Sequence, residues 1–355
     1  MTKSQTENRV AQPEGENHCV RHGLYGRRRE WVSLRSRSRM LVRLALPFSL
    51  AVLVALASLA SAGPPGTWRK YRNNPVLDVG APGEWDQTMV NSVTVTKDSD
   101  LFKMWYAGCT GIVCGIGHAT SKNGIEWTKF PGNPVLPPTV GSWAYTLQNP
   151  HVMKDGDTYR MWFSANDLVS IKIGYAFSVD GVSWTMHTSP VLVGSSSSWD
   201  SASVSTPAAI REGASLTMWY SGHAGDYTYK TGRATSEDGI AWMKDASNPV
   251  FTPNFGWEDS RVHPMQILLS DGLYELYYYA GYSYVVIGHA VSVDGVAWTR
   301  APDAPILSPG SEGSWDGASL GVCSVVQIGH KRMMWYSGSD GYVRRIGLAR
   351  SNGYY

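Results

Sequence analysis

The sequence of 355 residues has little of several features that define common classes of protein. Beyond Ala62 no segment shows the periodicity of an amphipathic helix, which argues against a helical domain. The chain holds only 4 cysteines, and no Cys/His spacing matches a zinc site. Residues 1–62 contain 10 of the 31 Lys and Arg and 4 of the 29 Asp and Glu, so the remainder has 21 basic and 25 acidic residues. A mildly acidic domain lacks the basic surface that nucleic acids require, and we expect no nucleic-acid partner, no metal and no cofactor.

The segment that ends at Ala62 differs in composition from the rest of the chain. Residues 1–39 are polar and rich in arginine, and an apolar run from Leu44 to Leu59 is followed by Ala60-Ser61-Ala62. This order predicts a secretory signal peptide over residues 1–62. The alternative is an uncleaved signal anchor, although the run is shorter than the ~20 residues of a membrane span. Both interpretations place residues 63–355 outside the cytoplasm, secreted or periplasmic, with a membrane contact only if the segment stays uncleaved.

What the sequence does contain is a repeated block, which occurs five times. Its marker is an aromatic triplet, followed in each block by a Gly-x-Ala sequence. The triplets are Met104-Trp105-Tyr106, Met161-Trp162-Phe163, Met218-Trp219-Tyr220, Tyr277-Tyr278-Tyr279 and Met334-Trp335-Tyr336. The step from one triplet to the next is about 57 residues, and a period of this length indicates a solenoid, a propeller or an array.

A short turn sequence identifies the repeating unit as β-structure. The turns are Asn123-Gly124, Asp180-Gly181, Asp238-Gly239 and Asp294-Gly295. These dipeptides predict hairpins with type I′ turns, in which both central residues have positive φ. Each block thus provides four short antiparallel strands, which is the composition of a propeller blade. We predict an all-β, five-bladed β-propeller over residues 63–355.

The repeat is cut at different points at its two ends, and this predicts that the first and last segments of the domain pair to close a ring. The chain stops at Ser351–Tyr355, at the turn of the last block, without a fourth strand. Near the start, Thr67–Tyr71 matches Glu126–Phe130, and each is followed by an Asn-Pro pair, Asn74-Pro75 and Asn133-Pro134. We therefore expect the N-terminal strand to complete the last blade and to close the ring, which removes exposed sheet edges.

The cysteines of the folded region give two expectations. Cys109 and Cys114 bracket a short loop, where an oxidising compartment could join them in a disulfide or leave them reduced. Cys323 falls on an inner strand and is expected to be a small buried residue. We expect the protein to be a monomer.

The turns of the form Ser178–Trp184, the Met-Trp-Tyr strands and the Asn-Pro-Val-Leu segments resemble the five-bladed propellers of glycoside hydrolase families 32, 43 and 130. The resemblance covers residues 66–355. It implies an aspartate base or nucleophile on the first inner strand, a second aspartate on the next and a glutamate acid on a later blade. The corresponding positions in the five blocks are Ser92, Asn149, Thr206, His263 and Val322, and none of them is a carboxylate.

In a propeller the inner strand of each blade lines a central channel, and residues where these strands begin are further candidates for the site. The fourth block alone combines Glu258, Asp259, Arg261 and His263, and residues 258–261 resemble the Glu-Asp-Pro-Arg signature of family 130 with Ser260 in place of proline. We predict catalytic roles for Asp259, Glu258 and a facing acid, Asp86. The predicted substrate-binding residues are Arg261, His263, Asn149, Gln148, Asn91, Tyr145, Ser205 and Asp200.

Structural roles are the alternative for several of these residues. Asp86, Asp200 and Asp316 each follow a tryptophan at the same place in their block and could cap turns. Asp259 could form a local ion pair with Arg261. The predicted function is a secreted glycosidase or glycan phosphorylase that acts on an oligo- or polysaccharide. A carbohydrate-binding propeller without catalysis and a protein-interaction propeller are the alternatives, because fold alone does not decide function.

Overall fold

The computed structural model of the chain describes residues 67–254, 256–282 and 284–352, and the secondary structure in these ranges is all β-strand. The signal peptide predicted for residues 1–62 lies outside the described residues. Within the described ranges no helix is long and apolar enough to cross a membrane. The all-β prediction is confirmed.

The strands form five antiparallel groups of four, each built mainly from consecutive segments of the chain, which we call sheets I to V. One parallel pair, Met89 with Arg344, joins sheets I and V into an eight-stranded sheet. Sheet I contains β2 (Met89–Asp98), β3 (Leu101–Thr110), β4 (Val113–Ser121) and β5 (Thr128–Lys129). Sheet II contains β6 (Thr146–Asp155), β7 (Thr158–Asn166), β8 (Ile171–Ser178) and β9 (Thr185–Met186). Sheet III contains β10 (Ser203–Glu212), β11 (Ser215–His223), β12 (Lys230–Ser236) and β13 (Met243–Lys244).

The remaining strands follow the same pattern. Sheet IV contains β14 (Val262–Ser270), β15 (Leu273–Ala280), β16 (Val286–Ser292) and β17 (Thr299–Arg300). Sheet V contains β18 (Ser319–Ile328), β19 (Lys331–Ser339) and β20 (Arg344–Asn352), and its fourth strand is β1 (Arg69–Lys70) from the other end of the described chain. The register pairs Arg69 with Arg350 and Lys70 with Ala349. The out-of-phase ends of the repeat therefore predicted this strand pairing correctly.

Aromatic side chains join each sheet to the sheet before it. The tryptophan that precedes the fourth strand of a sheet packs edge-on against the central aromatic of the preceding sheet. The pairs are Trp184 with Trp105, Trp242 with Trp162, Trp298 with Trp219, Trp68 with Tyr277, and Trp127 with Trp335, at centroid distances between 5.8 and 6.2 Å. The last pair joins sheet I to sheet V. The first strands also contact one another in the order β2, β6, β10, β14, β18 and back to β2.

The repeat in sheet IV is displaced by one residue from the sequence alignment. Met104, Met161, Met218 and Met334 pair across their sheets with the alanine of the Gly-x-Ala marker, and in sheet IV Leu276 makes this pair with Ala290. The triplet of this sheet is therefore Leu276-Tyr277-Tyr278, and the alignment on Tyr277-Tyr278-Tyr279 was wrong. The slip occurred because three consecutive tyrosines without a tryptophan give no anchor.

The turns between the third and fourth strands also differ from the prediction. Their positive φ falls on the glycine, 72° at Gly124 and 81° at Gly181, and not on the Asn or Asp before it. The turns are therefore not of type I′. Instead, the carboxylate of Asp180 accepts hydrogen bonds from the backbone amides of Val182 and Ser183, at 2.8 and 2.7 Å. These bonds hold the pKa of Asp180 below its ordinary value.

The expectations for the cysteines can be compared with the structure. Cys109 and Cys114 face each other across the β3–β4 hairpin and form a disulfide. Cys323 is a free, buried residue on β18. Burial raises the pKa of its thiol, so the side chain is an unreactive part of the core.

Two buried histidines make stability sensitive to acid. Burial lowers the pKa of His118 and of His151 to about 4, whereas an unfolded histidine titrates near ~6.5. The unfolded chain therefore binds more protons between these values, and stability is lost as the pH falls from about 6.5 to about 4. We expect each histidine to cost about 2 kcal/mol at about pH 5 relative to pH 7.

Denaturant unfolding of His118→Phe at the two pH values measures this effect. The variant should lose roughly half of the combined acid sensitivity of the two histidines, because its ring cannot take up a proton. Replacing the exposed His330 with glutamine is the control and should leave the pH dependence as it is in the parent. An unchanged pH dependence in His118→Phe would contradict the assignment.

Candidate functional site

The first strand of each sheet carries an irregularity at the position where the glycoside hydrolase resemblance locates its acids. The pairing register with the second strand shifts between Asn91 and Thr94 in β2, and shifts at the matching place occur in the other four sheets. In sheets I to III the bulge residues Ser92, Asn149 and Thr206 have φ of 53°, 50° and 45°. Left-handed backbone at non-glycine residues costs free energy and concentrates at functional sites.

The displaced register of sheet IV changes which residues are equivalent at this bulge. Gln266 pairs with Tyr277 as Thr94 pairs with Trp105, so Pro264 is the counterpart of Ser92. The assignment of His263 to this position was therefore wrong. His263 is the counterpart of Asn91, one residue earlier, and the remaining counterparts are Gln148, Ser205 and Gly321.

A chain of hydrogen bonds connects these bulges across four sheets. Ser92 Oγ donates to Asn149 Oδ1 at 2.8 Å, and Asn149 Nδ2 donates to Ser164 Oγ at 3.1 Å. Ser164 Oγ also accepts from the backbone N–H of Thr206 at 2.9 Å. Thr206 Oγ1 and Ser221 Oγ share a hydrogen bond of 2.6 Å, and Ser221 Oγ lies 2.8 Å from His263 Nδ1. We call these six residues the polar chain.

The polar chain ends at a group of aromatic and cationic side chains in sheets III and IV. The ring of His263 stacks on Tyr279 with centroids 4.2 Å apart and lies 4.4 Å from Tyr229. The guanidinium of Arg261 lies over the ring of Tyr229 at 5.2 Å. We call Tyr229, Arg261, His263 and Tyr279 the aromatic–arginine cluster. A fourth ring, that of His223, lies 4.4 Å from Tyr229.

Burial sets the protonation of this cluster. Desolvation, followed by the charge of Arg261, lowers the pKa of His263 well below its ordinary value, and desolvation also lowers the pKa of His223. Both imidazoles are therefore neutral at pH 7. Burial raises the pKa of Tyr279, so its hydroxyl stays protonated and can donate a hydrogen bond.

Arg261 has no carboxylate partner in the described part of the chain. Its Nε is buried without a hydrogen bond, and no ion pair joins it to Asp259. The alternative of a local Asp259–Arg261 ion pair is therefore not observed. Instead, the guanidinium lies 4.1 Å from the ring centroid of Tyr282. An unpaired, partly buried guanidinium is a free donor for an anion or for hydroxyl groups.

Asp259 is the exposed carboxylate of this region. It has φ of 54° and lines a surface depression of about 360 Å³, together with Trp257, Tyr282 and Tyr284. Because the guanidinium of Arg261 lies over the ring of Tyr282, the depression adjoins the aromatic–arginine cluster. Of the three residues with predicted catalytic roles, Asp259 is the one whose carboxylate is open to solvent.

Glu258 and Asp86 are buried, and each forms an ion pair. Glu258 accepts hydrogen bonds from the Tyr278 hydroxyl at 2.6 Å and from Arg300 Nη2 at 2.6 Å. Asp86 accepts from the Tyr106 hydroxyl at 3.1 Å and from Lys129 Nζ at 2.7 Å. The cations lie on the fourth strands, so each ion pair holds the fourth strand of its own sheet in place.

Asp200 and Asp316 repeat this arrangement, which we call the acid–tyrosine–cation triad. Asp200 pairs with Tyr220 and Lys244, and Asp316 pairs with Tyr336 and Lys70. Sheet II lacks the triad completely, since Ala144, Phe163 and Met186 stand in its three positions. The joint loss of all three members indicates that the triad is a structural unit. The substrate-binding role of Asp200 and the catalytic roles of Asp86 and Glu258 stay predictions.

The remaining predicted site residues lie on the first strands or just before them. Asn91 Oδ1 accepts from the backbone N–H of Ser92, and Gln148 Nε2 lies 3.3 Å from Cys114 Sγ. Ser205 is buried opposite Ser221. Tyr145 is half-buried at the entrance to β6. None of the described residues forms a metal-binding cluster of His, Cys, Asp and Glu.

Sequence reasoning missed Tyr229, Tyr279 and Arg344. Tyr279 follows the triplet of sheet IV, and Tyr229 lies in the β11–β12 connection. Arg344 Nη2 donates to Ser319 Oγ at 3.2 Å, and a Cβ on Gly321 would lie 3.2 Å from Arg344 Nη1. Arg344 therefore fills the space beside Gly321, which is the counterpart of His263 in sheet V. A constant spacing of 20 residues between each triad acid and its tyrosine could have revealed the correct alignment.

Comparison with known sequences gives partial matches. No protein-family model matches the chain. An uncharacterized protein of Mycobacterium tuberculosis is 30% identical over 182 residues, which are 48% of this chain and 59% of the relative. A β-1,2-mannobiose phosphorylase of Thermoanaerobacter sp. is 24% identical over 135 residues, 33% of this chain and 44% of that enzyme. The chain thus spans less than two thirds of the length of the curated relatives it matches.

Comparison with solved structures covers most of the chain. A putative glycoside hydrolase from Parabacteroides distasonis has a TM-score of 0.67 at 16% identity, over 83% of this chain and 99% of that chain. A structure of the GH130 family of mannoside phosphorylases, containing glycoside hydrolases that target β-1,2 mannosidic linkages in Candida mannan, has a TM-score of 0.67 at 17% identity, over 81% and 94%. The β-1,2-mannobiose phosphorylase from Listeria innocua has a TM-score of 0.66 at 12% identity, over 80% and 96%. The chain shares the fold of glycoside hydrolases and phosphorylases, and the predicted resemblance is confirmed at this level.

Proposed function

We propose that the five sheets are the blades of a closed five-bladed propeller. We also propose that the protein binds a glycan at one end of the central channel, where the polar chain and the aromatic–arginine cluster lie. Closure is supported by the cyclic contacts of the first strands and by the Trp127–Trp335 pair between the first and last sheets. Closure also explains why β1 completes sheet V, because a ring has no unpaired edge in that position.

The observation that carries the glycan proposal is the composition of this channel end. Amide and hydroxyl groups such as those of Asn149 and Tyr279 exchange hydrogen bonds with sugar hydroxyls, and aromatic rings cover the apolar face of a sugar. The structural neighbours are glycan-acting proteins, which supports the same class of ligand. Hydrolysis requires two carboxylates on opposite sides of the glycosidic bond, and two of the three candidate acids, Glu258 and Asp86, are engaged in triads. We therefore favour binding without the usual two-carboxylate hydrolysis.

A glycan array followed by calorimetry tests the binding. Asn149→Ala should weaken binding about tenfold by cutting the polar chain, and Tyr279→Ala should do so by removing the stacked ring. Tyr342, which is 95% exposed, provides the control, and Tyr342→Ala should bind as the parent does. Parent-like affinity in both site variants would place the glycan elsewhere.

The second candidate is a glycosidase or phosphorylase that works through Asp259, favoured by the open position of this carboxylate beside the depression. It predicts turnover of aryl glycosides or oligosaccharides, with or without phosphate, that Asp259→Asn abolishes. Turnover lost in this variant would replace the binding proposal with the catalytic one. Absence of turnover on every substrate, with binding retained in Asp259→Asn, would reject the catalytic candidate.

We also propose an extracytoplasmic location. The Cys109–Cys114 disulfide supports it, because such bonds persist in oxidising compartments. The composition of residues 1–62 supports it independently. Cell fractionation with thiol labelling tests the location, and recovery of the protein in the cytoplasm with both cysteines reduced would reject it.

A further inference from the structure

We infer that the glycan recognised at this channel end is acidic, with a carboxylate or similar oxyanion on the sugar that binds between Arg261 and Arg344. The inference rests on the proposed function, since it specifies the chemistry of the ligand of that site. It depends on which arginines of the chain have carboxylate partners and which do not.

Arg261 and Arg344 differ from the other buried and half-buried arginines in the described ranges. Arg261 contacts only aromatic rings through its guanidinium, and Arg344 donates to a neutral hydroxyl. A protein rarely removes a charge from water without a partner, because desolvation costs several kcal/mol. Two such charges at one end of the proposed channel favour an anionic ligand. The others each form an ion pair with a carboxylate, and they are Arg160, Arg211, Arg233, Arg300, Arg332 and Arg345.

Arg261 and Arg344 lie beside equivalent positions of neighbouring sheets. Arg261 contacts Tyr229, whose ring lies 4.4 Å from that of His263, and Arg344 lies beside Gly321, the counterpart of His263 in sheet V. The positive charges of Arg261 and Arg344 both lower the pKa of Tyr279, whereas burial raises it. Burial lowers the pKa of Arg344, which agrees with a poorly solvated guanidinium. Arg344 occupies space beside Gly321 that a side chain on the first strand of sheet V would otherwise take. The two cations therefore lie at matching places in sheets IV and V.

The surroundings favour an anion carried by a sugar over a free inorganic anion. Tyr229 and Tyr279 present rings next to the arginines, and rings stack on the apolar face of a sugar but offer little to phosphate alone. The neutral polar chain extends from the same cluster across sheets III, II and I, and its half-buried amide Asn149 has capacity for hydrogen bonds to uncharged hydroxyls. Arginine suits the charged end of such a ligand because its planar fork matches an oxyanion.

Calorimetry on the full chain tests this inference with matched ligands. The probes are oligosaccharides of galacturonate, glucuronate and mannuronate, the same oligosaccharides after reduction of their carboxyl groups, and inorganic phosphate. We expect at least one uronate oligosaccharide to bind about tenfold or more tightly than its reduced form, because a hydrogen bond to a charged group is stronger than one to a neutral group. Arg261→Gln and Arg344→Gln should each remove most of this preference, measured as the ratio of the affinities for the acidic and the reduced oligosaccharide.

Two variants control for charge and for folding. Arg345 lies next to Arg344 but already pairs with Asp78 and Asp340, so Arg345→Gln should keep the preference for the acidic ligand. Arg344→Lys keeps the charge and should retain part of the preference while losing the planar fork. Thermal unfolding of each variant shows that it is folded in the titration.

The outcomes separate this inference from the proposed function. Equal affinity for the acidic and reduced oligosaccharides would overturn the inference and leave glycan binding in place. Phosphate binding that Arg261→Gln abolishes, without any preference among glycans, would also overturn it by assigning the anion to a free ion. Failure of every glycan, acidic or neutral, to bind would remove the proposed function and the inference together.

Discussion

Replacing Lys129 with methionine is expected to lower the free energy of unfolding by about 3 kcal/mol. The substitution leaves the carboxylate of Asp86, which is 1% exposed, with the Tyr106 hydroxyl as its hydrogen-bond donor. An ion without its counterion in a buried position loses solvation that nothing replaces. Denaturant unfolding at pH 7 measures the difference between the variant and the parent.

The triple variant Asp86→Ala, Tyr106→Phe, Lys129→Met is expected to lie within about 1 kcal/mol of the parent. It reproduces in sheet I the residues that sheet II already has, Ala144, Phe163 and Met186. Apolar replacement of a whole buried ion pair is often neutral, whereas loss of one member is costly. Equal losses in the single and triple variants would show that the triad contributes stability beyond the mutual compensation of its charges.

Gly124→Ala is expected to destabilise the protein by about 3 kcal/mol. Gly124 has φ of 72°, and an added Cβ would lie 2.7 Å from the buried ring of Trp335. The Gly124 carbonyl also accepts the indole N–H of Trp335 at 2.8 Å, so the contact between the first and last sheets has no room to adjust. Left-handed backbone costs alanine about 1–2 kcal/mol, and overpacking adds a comparable amount.

Gly111→Ala isolates the backbone part of this cost. Gly111 has a similar φ of 61°, and nothing lies within 4 Å of a Cβ added at this position. We expect a loss of about 1 kcal/mol, measured by thermal and denaturant unfolding beside Gly124→Ala. If both variants lost the same amount, the packing of Trp335 on the Gly124 turn would not contribute to stability.

Much of the architecture could be predicted because the repeat is regular in its large residues. Trp105, Trp162, Trp219 and Trp335 mark the second strand of four sheets, and a tryptophan in a period of constant length is difficult to misalign. Sheet IV was misaligned where this marker is absent. The type I′ turns were predicted wrongly because the Asp and Asn side chains bind the backbone amides of the turn, so the glycine alone adopts positive φ.

The candidate site was harder to predict because its residues come from different strands and different sheets. His263 was identified from its charged neighbours in the sequence, but Tyr279 meets it across a strand pair and Tyr229 meets it from another sheet. Arg344 lies beside Gly321, a residue without functional groups. Conversely, the sequence presents Asp86 and Glu258 as candidate catalytic acids. The structure shows that each has a cationic partner, Lys129 for Asp86 and Arg300 for Glu258.

The amino-acid sequence by itself determined the all-β architecture, the repeating four-strand unit and the pairing of the N-terminal strand with the last sheet, because these follow from periodic turns and aromatic residues along one chain. Only the tertiary structure decided which polar residues are structural and which are available to a ligand. The reason is physical: availability depends on the partners a side chain meets across strands and sheets. Asp86 meets Lys129 there, whereas Arg261 and Arg344 meet no carboxylate in the described part of the chain.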